Sequence, residues 1–268
     1  MHRPIQTAVQ GTVETVYKSL APVEQNDLEF LIPGDSDSYI VLDIKFYVRG
    51  KVVSRFGKCV DLTHTTAMAK IFYTVCLVNL QSCLAVSYLQ SHGHYNYRAF
   101  LGTLINYGTD AASSHLSNSY WYLDTGDMQP SVPTAETHTS ATNDGFIARW
   151  SRLSGSRDVQ LLGRLHTDMF NVPLFLLPRV PLQIKLTNAR PSFYLMNKSA
   201  DTKTTFKFLD AYLLVRRVQP NPAILEAHKK ALEKWALVRY NTTRVHLKTF
   251  TFSAGSKSRS IDNAVLGP

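Results

Sequence analysis

Three places in this 268-residue chain hold side chains whose types and spacing could do chemistry. His92-Gly93-His94 sets two imidazoles around a glycine in a turn, which supplies two metal ligands without a defined third. Asp124 and Asp127 could pair as general acid and base, yet Thr125-Gly126 between them reads as loop, and nothing fixes the separation such chemistry needs. Gly255-Ser256-Lys257-Ser258-Arg259 resembles a phosphate cradle in composition, but it lacks the full glycine spacing and the following helix that would aim N–H groups at phosphate. Each of the three is better read as a solvated loop. The nucleophile elbow Gly-x-Ser-x-Gly is absent. Cys59, Cys76 and Cys83 fit neither an even-numbered disulfide framework nor a Cys-x-x-Cys metal spacing, which points to a reducing compartment. The expectation is a non-catalytic protein with no metal, no cofactor and no small-molecule substrate.

Charge points elsewhere. Residues 135–268 hold 20 basic and 9 acidic side chains out of totals of 29 and 20, so the earlier part keeps 9 and 11. The later part is strongly basic and would attract phosphate, which makes non-specific DNA contact an expectation; the plainer reading is a soluble basic domain. Arg216-Arg217 closes a strand just before a helix, where paired guanidiniums could meet a neighbour's carboxylates or nucleic acid, or simply be solvated. Met1–Gln10 lack the apolar centre of a signal peptide, and no apolar run approaches the roughly 20 residues of a membrane helix.

The elements that must position these groups are mainly strands. In Tyr39–Val48, Leu42, Ile44, Phe46 and Val48 share one face while Asp43, Lys45 and Tyr47 take the other. Further strands are expected at Ile71–Leu80, Cys83–Leu89, Val159–Leu165, Leu182–Leu186, Phe193–Met196, Phe206–Val218 and Arg244–Phe252, the last with a partly aromatic, buried face. Eight or more such strands suit an all-β, antiparallel, eight-stranded jelly-roll sandwich better than an immunoglobulin-like domain. Two inserted helices are expected. One runs over Pro222–Val238, capped by Asn221, with Leu225, Leu232, Trp235 and Ala236 as its apolar stripe. The other spans Tyr97–Tyr107, with Phe100, Leu101, Leu104 and Ile105 inward and Gly108 as its stop. Gly126–Asp144 reads as a long exposed loop. The expected organisation is an N-terminal arm (1–20), a single jelly-roll domain with helical insertions (21–252) and a polar, basic tail (253–268).

Specific motifs add a family. Gly163-Arg164-Leu165-His166-Thr167-Asp168-Met169-Phe170-Asn171 resembles the G-R-[LI]-H-[ST]-D-[IM]-F-N block of major capsid proteins from Polinton (Maverick) elements and adintoviruses. Tyr97-Arg98-Ala99 followed by Leu104-Ile105-Asn106-Tyr107-Gly108 is similar to that family's Y-R-A…L-L-x-Y-G helix, and Ser119–Asp124 to the segment after it. Asp210–Pro222 and Ala227–Lys234 look like its passage from strand to helix, and Asn263–Gly267 like the lead into its second half. The likeness runs from about Pro22 to the C-terminus.

This resemblance implies a viral structural protein that works by subunit packing. The family's two jelly rolls stand side by side, and three copies form a pseudo-hexagonal capsomer in an icosahedral shell around DNA. The chain would hold the first jelly roll only, as from a truncated integrated element, with the second one absent. A stretch around Cys83–Tyr95 is shorter than the family's usual strand, turn and strand. Other capsid subunits are the implied partners, and the virion is the implied location, or host cytoplasm or nucleus for a remnant. The alternative is a host-retained jelly-roll binding module for capsomers, glycans or nucleic acid. The family carries over no catalytic residues, so the candidate assembly or phosphate contacts are Arg164, His166, Asp168, Arg216, Arg217, Lys229 and Lys230.

Overall fold

A computed structural model describes residues 9–23, 27–54, 66–68, 76–79, 95–125, 143–153, 156–189, 191–197 and 204–243, with 245, 247, 250, 251, 253–255, 258 and 260 beyond them. The described residues contain eleven strands: β1 (Val9–Lys18), β2 (Asp27–Ile32), β3 (Tyr39–Val41), β4 (Lys45–Ser54), β5 (Thr66–Met68), β6 (Cys76–Asn79), β7 (Val159–Arg164), β8 (Phe175–Leu176), β9 (Leu182–Asn188), β10 (Leu195–Asn197) and β11 (Thr204–Pro220). They also contain α1 (Tyr95–Asn106), α2 (Thr109–Ser113), α3 (Asp144–Leu153), α4 (Pro191–Tyr194) and α5 (Pro222–Glu233). The protein is thus mostly β with a few helices, although these five exceed the two expected. His92-Gly93-His94, Cys83–Leu89 and most of the Gly126–Asp144 stretch lie outside the described residues.

Every strand pairing is antiparallel. The larger sheet is built on the 17-residue β11. One side of β11 carries β4 and then β7 along its first part, and β3 and then β8 along its last; β1 lines the other side. A second sheet runs β2-β9-β6, and a small ladder joins β10 to β5. Alternation explains how the two larger sheets share a core. Leu28, Phe30 and Ile32 of β2 and Leu182, Ile184 and Leu186 of β9 are buried, as are Phe46 and Val48 of β4 and Leu213 and Val215 of β11. The Phe30 ring meets the Phe46 ring edge-on at 6.1 Å, tying one sheet to the other.

Two irregularities keep that alternation in phase. The register between β11 and β4 shifts between Phe208 and Asp210, so buried Phe206 and Phe208 are followed by buried Ala211, Leu213 and Val215 on the same face. One inserted residue does this, because a strand's side chains alternate with a period of two. The expected continuous strand Tyr39–Val48 is instead two, β3 and β4, separated by Leu42–Ile44. Leu42, Ile44, Phe46 and Val48 are nevertheless all buried, as their spacing predicts.

Other expectations need correction. Residues 9–18 of the proposed arm form β1. The stretch expected to begin a strand at Phe193 opens with the short helix α4. Arg244–Phe252 is not a strand at its described positions: Val245 and Phe250 are exposed and no ladder forms there. α5 starts at Pro222, with the Asn221 side chain accepting from the Ala223 N–H at 3.0 Å, but it ends at Glu233 and buries none of its residues. Most of its expected apolar stripe faces solvent, Leu232 and Trp235 being 43% and 91% exposed, while Leu225 is half-buried. α1 is turned relative to expectation. Tyr95, Ala99 and Thr103 are its buried residues, while Leu101, Leu104 and Ile105 are exposed.

Candidate functional site

The block 163–171 begins as the end of β7 and continues as a buried turn. Its backbone is fixed first: the Leu165 N–H donates to Ile44 O at 3.2 Å, and a short 3₁₀ turn over Met169–Asn171 buries Met169 and Phe170. α1 lies against this turn through polar anchors. The His166 N–H donates to the Tyr95 hydroxyl at 2.7 Å, and Arg98 forms an ion pair with Asp168. Both charged side chains of that pair are largely buried, at 15% and 16% exposure. These anchors explain the rotation of α1: the polar contacts must face inward, and small Ala99 and Thr103 permit close approach. The Thr103 hydroxyl donates back to Ala99 O at 2.8 Å, so its burial leaves no unmet donor. Phe100 rests on the buried Trp121 ring at 5.2 Å.

Arg164 leaves the block towards the sheet. Its Nη2 donates to Phe170 O at 2.6 Å, and its Nε lies 2.9 Å from Asp43 Oδ1. Arg216 approaches the other oxygen of the same carboxylate at 3.5 Å. Asp43, set in the break between β3 and β4, therefore ties Arg164 at the end of β7 to Arg216 of β11. These pairs are partly exposed and contribute modestly to stability. His166 is different. Burial, reinforced by the nearby Arg164 and Arg98 charges, pushes its imidazole down to about 4, so it is neutral at pH 7.

The remaining candidates are dispersed. Arg217 is buried, with no side chain available to a neighbour: it donates to the Tyr17 hydroxyl at 2.7 Å, to Ser38 Oγ at 3.2 Å and to Pro33 O at 2.6 Å. It pins β1 and the β2–β3 turn to β11. Lys229 and Lys230 are exposed on α5, where Lys230 lies 3.7 Å from Glu226 one turn away. Asp124 is no loop carboxylate waiting for a partner. It pairs with the fully buried Arg149 of α3, whose Nη1 also donates to Tyr122 O at 3.3 Å. Asp127 lies outside the described residues.

A cleft that the sequence does not announce opens beneath α5. It encloses about 410 Å³ and is walled mainly by apolar side chains, among them Phe175, Val218 and Ile224. Tyr39 Oη and His228 Nδ1 lie 2.5 Å apart in it, with their rings edge-on. Tyr240 closes one side, donating to Phe175 O and accepting from the Leu177 N–H. Burial raises the Tyr39 phenol, with Tyr240 adding to the effect. The partners are 189 residues apart in the chain, so no local pattern could reveal them.

No family model matches the chain, and no curated protein matches it. Among solved structures it is similar to the mavirus major capsid protein, with 8% identity and a TM-score of 0.40. The match covers 82% of this chain and 47% of that one, so the chain spans about half the length of the mavirus protein. Among the described residues no helix is long and apolar enough to cross a membrane, and no three His, Cys, Asp or Glu side chains gather as metal ligands.

Proposed function

We propose that the chain is a structural capsid protein, corresponding to the first jelly roll of a Polinton- or adintovirus-like major capsid protein and working by packing against other subunits in a virion. One observation supports this above the rest: motifs far apart in sequence, Tyr97–Ala99 and Gly163–Asn171, lock together through the Arg98–Asp168 pair on an antiparallel β framework, with Tyr95, just before the first motif, bonded to His166. Charges that could otherwise serve chemistry are spent holding shape. The expected partner is another capsid subunit, in a trimeric capsomer for the full-length family. Mass photometry over a wide concentration range, with negative-stain microscopy of the larger species, tests it. Discrete oligomers support the reading, and a strict monomer at every concentration removes it.

A second reading, a jelly-roll binding module that contacts nucleic acid, has its own support. Trp235 stands exposed, and Lys229, Lys230, Lys234 and Arg239 lie within six residues of it in sequence, an aromatic residue among cations of the kind that binds single strands. Filter binding at several salt concentrations tests it: affinity should fall steeply with salt, and a flat response removes the reading.

A further inference from the structure

β1 is bonded to β11 along one side, and among the described residues no strand pairs with its other side. It is ten residues long, contains no proline, and exposes Val13 and Val16 by about half, at 49% and 51%. Such an edge is a template for another strand unless something blunts it. What it carries is a charge pattern. Thr12, Glu14, Val16 and Lys18 share the outer face, while Tyr17 on the other face turns its hydroxyl to Arg217.

We infer that β1 is the docking edge for β1 of a second copy of this chain, antiparallel about a two-fold axis through Val16. This inference rests on the self-association reading above and gives it a two-fold contact, distinct from the three-fold contact of a trimeric capsomer. In that register Val16 faces Val16 of the other copy, and Glu14 faces Lys18 twice, once on each side of the axis. The neighbouring registers are worse. An axis through Glu14 sets Glu14 against itself, one through Lys18 sets Lys18 against itself, and one through Thr15 or Tyr17 leaves the opposite charges unpaired. Glu14 also lies across from Arg216 on β11, but that guanidinium is engaged by Asp43. Charge complementarity therefore selects both the partner and the register.

Val16→Cys tests the register, because directly opposed residues of antiparallel strands fall within disulfide range. Under mild oxidation Val16→Cys should give disulfide-linked dimers, whereas Thr12→Cys, which carries the same three native cysteines, should give no more than the wild-type chain. Charge reversal tests the surface without new thiols. Glu14→Lys or Lys18→Glu alone should weaken dimerisation about tenfold, and the double reversal should restore it, as sedimentation velocity would show. Wild-type association with equal cross-linking at 12 and 16, or without rescue by the double reversal, overturns β1 pairing while leaving assembly standing. A wild-type chain that stays monomeric throughout overturns both.

Discussion

Arg98 and Asp168, 70 residues apart, meet as a largely buried ion pair that fixes α1 against the turn following β7. Removing one partner strands the other charge in a poorly solvated site. Arg98→Ala should therefore cost about 2–3 kcal/mol in urea denaturation. Replacing both, as Arg98→Met with Asp168→Leu, should recover much of that loss, since the desolvation penalty disappears with the charges.

His166 gives the fold a pH dependence. Its folded value of about 4 lies below the ordinary 6.5, so the unfolded chain takes up the proton first as pH falls. The stability it confers is complete above about pH 6.5 and is lost on descending towards pH 4, by about 3 kcal/mol in all. Urea midpoints between pH 7 and 5, above the range where carboxylates dominate, should fall in the wild type and stay nearly level in His166→Asn.

Trp235 follows α5 in the left-handed region, at φ 61°. The helix ends in a Schellman arrangement, with the Trp235 N–H on Leu232 O at 2.9 Å and the Ala236 N–H on Ala231 O at 3.1 Å. Glycine is the usual residue there, and an exposed indole contributes no packing within one copy. Trp235→Gly should leave the isolated chain as stable as before, or more stable by about 0.5–1 kcal/mol, in thermal or urea unfolding. A clear loss would mean that the ring is covered in solution.

Gly50 sits in β4 where an added Cβ would run into the Phe206 ring and the Lys207 carbonyl of β11. Gly50→Ala should destabilise by about 1–3 kcal/mol, because backbone on the facing strand cannot yield as a flexible side chain could. Gly102, with open space around its Cβ position on α1, is the control: Gly102→Ala should stabilise by about 1 kcal/mol.

Local periodicity carried the β framework. The buried run Leu42, Ile44, Phe46 and Val48, the strands β7 and β9, and the start of α5 at Asn221-Pro222 all depend on residues within one or two turns of each other, so their spacing alone revealed them. Polar side chains were legible only as candidates. Arg164, Asp168 and Arg216 do sit in ion pairs, but whether a guanidinium faces a neighbour or its own fold depends on what arrives from elsewhere in the chain.

The amino-acid sequence by itself determined an antiparallel, mostly β protein and the segments that build it, because alternation and caps are properties of adjacent residues. The tertiary structure decided which face of α1 is buried, that Asp124 answers Arg149, that Arg217 is an internal pin, and that Tyr39 meets His228. Those contacts span 25 to 200 residues. Their outcome turns on the cost of leaving a charge or hydroxyl buried without a partner, which no local pattern of hydrophobicity encodes.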